Sequence, residues 1–258
     1  STRDITNSNF LSSNYVFEKM SKDQLDKLLL NQGKINVRKG GFGVLIAGAV
    51  ENQGTIIAPI GTIALAGGDL VRIDISGDGL ISVAIDKPTA SLVYDVEGKP
   101  ITDQLKNTGT LEANGGVVLL KAEALPGIFE KAINLEGYVR ADKLENKDGV
   151  VKLVSTGNIT VNGQVSATKI IVGDKDEAIP EAIEMTQGQL QAEEKVSVAA
   201  DKLSISSLSP LTEVYKTGDM RLTGSSIQDN LITLEGEDIK VTYLKASNLT
   251  LQTDNTLN

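Results

Sequence analysis

Apolar residues in this chain come in short runs set apart by glycines and amides, and the runs recur. Asn31-Gln32-Gly33-Lys34-Ile35-Asn36-Val37 leads into Gly40-Gly41-Phe42-Gly43-Val44-Leu45-Ile46-Ala47. The phrase restarts at Asn52-Gln53-Gly54-Thr55-Ile56-Ile57-Ala58 and Gly61-Thr62-Ile63-Ala64-Leu65-Ala66-Gly67, a step of 21 residues from Asn31 and from Gly33. It returns at Asn107-Thr108-Gly109-Thr110-Leu111-Glu112-Ala113 with Val117-Val118-Leu119-Leu120, and at Gly137-Tyr138-Val139-Arg140-Ala141 with Gly149-Val150-Val151-Lys152-Leu153. Shorter copies follow at Gly157-Asn158-Ile159-Thr160-Val161 and Gly163-Gln164-Val165-Ser166-Ala167.

Repetition at about 20 to 30 residues marks stacked architectures. Two short apolar runs per unit, broken by small turn residues, suit strands rather than helices. The expected fold is all-β: a single-stranded parallel β-helix whose coils stack at about 4.8 Å. Glycine takes the crowded corners, and asparagine at one corner of successive coils forms hydrogen-bonded ladders. One coil cannot bury its inward side chains, whereas several stacked coils can.

Between the copies lie predicted departures. Ser21-Lys22-Asp23-Gln24 has capping-box form, and Leu25, Leu28 and Leu29 share a helical face, so a short flanking helix is expected near 22–30, shielding a sheet edge. Residues 1–20 read as an irregular start with strand pieces. Residues 70–85 read as coil strands around a Gly-Asp-Gly turn. Residues 86–106 break the repeat and read as an insertion with helical turns at 89–94 and 101–106. A second brief helix is expected near 126–133, opened by Pro126. Residues 174–195 read as degenerate coils or a short helical excursion, with coils favoured by the echo Gly188-Gln189-Leu190-Gln191-Ala192. Period-two runs continue to Leu251, and 253–258 read as a loose tail. No composition shift marks a linker, so 1–258 is expected to form one continuous body of roughly ten coils, around 50 Å long.

Composition narrows the chemistry. Hydrophobic residues are 40% but aromatics only 3%, which fits a thin core of stacked aliphatic side chains. A net charge of −9 argues against a nucleic-acid partner and against anionic membranes. The chain has neither cysteine nor histidine. Disulfides, thiolate metal sites, a Ser-His-Asp triad and a zinc-protease site are therefore excluded. No cofactor fingerprint is present: Gly40-Gly41-Phe42-Gly43 lacks the lysine and helix of a phosphate loop.

Two stretches have the spacing of possible sites. Asp74, Ser76, Asp78 and Gly79 have the spacing of a calcium loop, but Ile85 stands where a bidentate glutamate is needed, and a Gly-Asp turn accounts for them. Asp69, Asp74, Asp78 and Asp86 could supply carboxylates for sugar hydrolysis, yet 34 acidic residues make chance clustering the simpler explanation. No catalytic, cofactor or metal residue is assigned, and an enzyme is not expected.

The phrase Asn52-Gln53-Gly54-Thr55-Ile56-Ile57-Ala58 to Gly61-Thr62-Ile63-Ala64-Leu65-Ala66-Gly67-Gly68-Asp69, then Ile73-Asp74-Ile75-Ser76-Gly77-Asp78-Gly79-Leu80-Ile81-Ser82-Val83, resembles the filamentous haemagglutinin family, the exoproteins of two-partner secretion. Ser1-Thr2-Arg3-Asp4-Ile5 and Asn9-Phe10-Leu11-Ser12-Ser13-Asn14-Tyr15 are also similar to that family's secretion domain. The likeness runs to about residue 167. It implies a right-handed β-helix, exported through an outer-membrane partner barrel to the surface or surroundings of a Gram-negative bacterium, serving as an adhesin or stalk. It also implies a receptor as a partner. The family's Asn-Pro-Asn-Gly motif is missing, so the expectation is the later part of a secretion domain with following coils, cut from a longer precursor. The alternatives are a self-assembling fibre or sheath subunit, associating through its ends, and a carbohydrate-active enzyme.

Overall fold

The computed structural model describes residues 1–19, 25–75, 81–174, 176–185 and 188–205, and beyond these the backbone of strands between 212 and 257; side-chain surroundings are described through residue 201. The regular elements of the described residues are strands, apart from one five-residue helix, Asn7–Leu11.

The repeated phrase folds into rungs of parallel strands in three columns. In the first column Leu29–Asn31, Val50–Asn52, Asp103–Asn107, Lys131–Leu135, Ile159–Val161 and Ala182–Met185 pair in turn. The second column runs Lys34–Asn36, Thr55–Ile57, Thr110–Glu112 and Tyr138–Ala141, then the starts of Gln164–Val172 and Gln189–Ala200. The third runs Phe42–Ala47, Thr62–Gly67, Val117–Ala122 and Val150–Ser155, then the later halves of those two long strands.

Register explains the repeat. Ile35, Ile56, Leu111, Val139, Val165 and Leu190 are successive partners down the second column. Leu45, Leu65, Leu120, Leu153 and Val172 align down the third, and Val50, Leu105, Ile133 and Ile159 down the first. These inward columns form one hydrophobic core. Each fully buried Leu or Ile contributes on the order of 1.5–3 kcal/mol. At one corner Asn31 Nδ2 donates to Asn52 Oδ1 and Asn52 Nδ2 to Asn107 Oδ1, both at 2.7 Å, as the asparagine spacing predicts. The ladder stops where Leu135 takes the position. The adjoining glycines are steric: a Cβ on Gly54, Gly109 or Gly163 would stand 2.0 Å from the carbonyl oxygen of the glycine one rung before.

A second core lies on the outer face of the third column. Tyr15–Glu18, Leu70–Ile75 and Ile81–Lys87 form an antiparallel sheet. Its Val71, Ile73 and Val83 pack against the outward Ile46, Ala64, Ala66, Leu119 and Val154. The third column is thus buried on both faces, which is why it reads as continuous apolar runs. The chain leaves the ladder after Gly67 and rejoins at Asp103; Asn52 and Asn107 remain adjacent although 55 residues separate them.

Several expected elements differ. The helix near 22–30 is not formed over its described part: Asp26–Lys27 and Leu29–Asn31 are strands, and residues 20–24 lie outside the described residues. Leu25 is exposed, and Leu29 is held in register with Val50, so pairing overrode the helical spacing. The helix near 126–133 is a turn through Gly127, at φ +80°, followed by strand Lys131–Leu135. Ile133 is drawn into the first column between Leu105 and Ile159. The turns expected at 89–94 and 101–106 are instead strands Val93–Tyr94, paired with Asp26–Lys27, and Asp103–Asn107. The runs at 70–75 and 81–85, read as coil strands, belong to the antiparallel sheet. The tail expected to be loose continues as strand Leu249–Leu257, paired with Ile232–Val241. Between 174 and 195 lie strand Ala182–Met185 and the first half of Gln189–Ala200.

Candidate functional site

The most elaborate polar arrangement joins the two cores at the start of the chain. Arg3 is 3% exposed, and its guanidinium is fully engaged. Nη1 and Nη2 grip the carboxylate of Asp26 at 2.9 and 2.7 Å, Nη2 also donates to Asp69 at 2.9 Å, and Nε donates to the carbonyl of Gly68 at 2.9 Å. Lys19 adds a 3.4 Å contact to Asp26. Burial by itself would raise the Asp26 carboxyl, but the Arg3 hydrogen bonds and charge, with Lys19 behind them, outweigh it and hold the pKa below the ordinary value. Gly48 makes the space: a Cβ there would meet Asp26 Oδ2 at 2.5 Å and Arg3 Nη2 at 2.7 Å.

Chain order shows what the knot ties. Arg3 brings the first residues, Asp26 precedes the first rung, and Gly68 and Asp69 open the antiparallel hairpin. Thr2 N–H donates to the Ile46 carbonyl, and Asp4 and Glu18 exchange backbone hydrogen bonds. The start of the chain is thereby stitched to the first rung and to the outer sheet at once.

Among the described residues nothing pairs with the first rung on one side. Among the described residues Leu29–Asn31, Lys34–Asn36 and Phe42–Ala47 have strand partners only in the following rung. Leu29, Ile35, Val37 and Leu45 are half-buried where their partners are buried.

The carboxylates weighed for hydrolysis do not converge. Asp69 is held by Arg3 and accepts from the Ala90 N–H at 3.1 Å. Asp86 is paired with Arg72 at 2.9 Å, Asp74 stands opposite Ser82, and Asp78 lies outside the described residues, as does most of the calcium-like loop. No group of three potential metal-binding residues occurs among the described residues. Glu123, which the sequence did not single out, has its pKa raised by burial, which outweighs the opposing Lys121 charge, with Asp86 adding to the rise.

The columns and the outer sheet have a counterpart among solved structures. The chain is similar to the HMW1 secretion domain of Haemophilus influenzae. The superposition has a TM-score of 0.60 at 17% identity and covers 97% of this chain and 73% of that one. At this identity the likeness is one of fold. No family model and no curated protein matches the chain. The HMW1 likeness takes in nearly the whole chain.

The sequence did not signal the knot. Arg3 and Asp26 are 23 residues apart, Arg3 and Asp69 66 apart, and none belongs to the repeat. The one available hint was the resemblance carried by Ser1-Thr2-Arg3-Asp4-Ile5, which named a domain but no role for Arg3.

Proposed function

We propose that this chain is a non-enzymatic segment of a secreted, two-partner-secretion exoprotein of a Gram-negative bacterium. In this reading residues 1–258 form one continuous, right-handed, single-stranded β-helix of the filamentous haemagglutinin type. It passes an outer-membrane barrel and then serves as a stalk or adhesive display surface outside the cell. The observation that carries the reading is the fold likeness to a secretion domain over 97% of the chain, supported by in-register rungs.

The architecture suits export as an extended chain. Rungs next to one another in the ladder are mostly neighbours in sequence, so each can dock on the one before as it emerges. Arg3, Asp26 and Asp69 fasten the first described rung to the outer sheet, giving later rungs a fixed edge to dock on. The absence of cysteine frees folding from any oxidation step.

The test is export. Supplied with a secretion leader in a Gram-negative host, the chain should reach the medium only when its partner barrel is co-expressed, and Arg3→Ala should reduce recovery of protease-resistant product. Equal release with and without the barrel would falsify the export reading.

A second reading, a self-assembling fibre or sheath subunit, is favoured by the uncovered first rung, because open strand edges template further pairing. Sedimentation of the purified chain over a wide concentration range decides it: a concentration-independent monomer excludes assembly through that end.

A further inference from the structure

The outer face of the second column carries a polar trough of about 760 Å³. Its floor is built by register. Thr110, Tyr138, Gln164 and Gln189 are successive partners in one row, and Glu112, Arg140, Ser166 and Gln191 in the next. Leu111, Val139, Val165 and Leu190, between the rows, face the core and hold the strands in place.

The two rows differ. The Glu112 row is braced: Glu112 accepts from Asn114 at 3.0 Å, Asp142 accepts from Ser166, and Arg140 lies 3.4 Å from Asp142. In the other row Tyr138 is 57% exposed, and the side chains of Tyr138, Gln164 and Gln189 make no hydrogen bond with any described residue. Tyr138 is the exposed one among the described tyrosines of a chain with only 3% aromatics, and it stands inside a groove.

An open aromatic ring followed by two primary amides without a hydrogen-bond partner among the described residues, one per rung at about 4.8 Å, is a ladder of ring face and hydroxyl-binding groups. The spacing is close to that of successive sugar units in an extended chain. A few convergent polar groups along a concave wall are what a ligand groove requires. Charge selects further: Glu112, Asp142 and Glu193 line the trough against Arg140, an acidic balance that repels sulfated or sialylated chains.

We propose that this trough binds an extended neutral polysaccharide running across the rungs, with one sugar ring on Tyr138 and hydroxyls of the next units held by Gln164 and Gln189. The inference rests on the reading of a displayed surface but not on the export route. A purified chain can therefore fail this test while export stands, and the converse.

Isothermal titration of the full chain against linear glucan, xylan, mannan and chitin oligosaccharides, with a heparin oligosaccharide as the sulfated comparison, tests it. At least one neutral oligosaccharide should bind, and heparin should not. Tyr138→Ala should weaken binding by about tenfold or more, as should the double change Gln164→Ala with Gln189→Ala, while Tyr138→Phe should retain most of the affinity. These positions are exposed, so circular dichroism should show an unchanged fold. Absence of binding by every neutral oligosaccharide, preference for heparin, or unchanged affinity in Tyr138→Ala each overturns the proposal. So does a self-associated chain that becomes monomeric in Tyr138→Ala, which would make the trough a contact between copies.

Discussion

The inner and outer cores solve the same problem by opposite means. The inner core repeats: Leu65, Leu120 and Leu153 stand one above another, and each rung meets nearly the same surface above and below. The outer core does not repeat. Val71, Ile73 and Val83 come from an antiparallel sheet made of two distant stretches, laid once over Ile46, Ala66 and Leu119. Repetition spreads stability over many equivalent neighbours, whereas a single roof concentrates it at whatever fastens it. Here the fastener is the buried Arg3 knot.

The comparison predicts the largest loss at that knot. Arg3→Ala leaves buried Asp26 with only its 3.4 Å contact to Lys19 and should cost about 3–5 kcal/mol, measured by urea denaturation, with the outer sheet opening first in limited proteolysis. Arg3→Met combined with Asp26→Leu should recover part of that loss, because an apolar pair removes the buried Asp26 charge while the more exposed Asp69 and Lys19 lose a partner. A cost below about 1 kcal/mol for Arg3→Ala would show that packing alone holds the roof.

Next comes the repeating core. Leu120→Ala should cost about 3 kcal/mol, since Leu120 is fully buried between Leu65 and Leu153. The protease pattern of the outer sheet should stay as in the parent chain. If both substitutions open the same segment first, the two cores are one cooperative unit and the contrast fails.

The asparagine ladder ranks lower. Asn52→Ala strands the amide of Asn31 and the carbonyl oxygen of Asn107 and should cost about 1–3 kcal/mol in the same denaturation series. Gln53→Ala, in the parallel but exposed Gln32–Gln53 pair, should change stability by less than about 0.5 kcal/mol. Burial, not the presence of a ladder, sets the difference.

The smallest expected effect is the acid dependence of the knot. Asp26 has a folded-state pKa below its unfolded one, so its contribution is complete above the ordinary carboxylate range and is lost as pH falls through the folded value. Asp174 and Glu177 are lowered in the same sense, their burial outweighed by Lys152, with Lys121 adding to the lowering, so Asp26→Asn is the needed comparison. Denaturation midpoints should fall more steeply on acidification in the parent chain than in Asp26→Asn. Equal slopes would mean that the charge of Asp26 adds nothing to the knot.

The repeat was legible because its causes are local and periodic. Asn31 and Asn52, Ile35 and Ile56, and Gly33 and Gly54 are spaced so that one rung's length brings each pair together. The corner glycines are required by the carbonyl of the rung before, and the aliphatic positions by the shared interior. The errors fell where the repeat was interrupted. Leu25, Leu28 and Leu29 carry helical spacing, yet Leu29 is paired to Val50 from a different rung. Lys131–Leu135 follows a proline-containing turn that resembles a helix start, yet Ile133 fills a gap in a column begun elsewhere. Local propensity is worth tenths of a kcal/mol per residue, and a buried side chain is worth several times more, so pairing won.

By itself the sequence determined the class of structure: short strands, parallel stacking, the asparagine corner and an interior of aliphatic columns, all of which follow from a period that one coil must satisfy. Only the tertiary structure decided that strands Leu70–Ile75 and Ile81–Lys87 fold outward as a roof, that Arg3 meets Asp26 and Asp69, and that Tyr138, Gln164 and Gln189 share one row. The physical reason is range. A periodic pattern is set by neighbours about one rung away, while a buried charge cluster or a surface row depends on which distant segments the closed structure lays side by side.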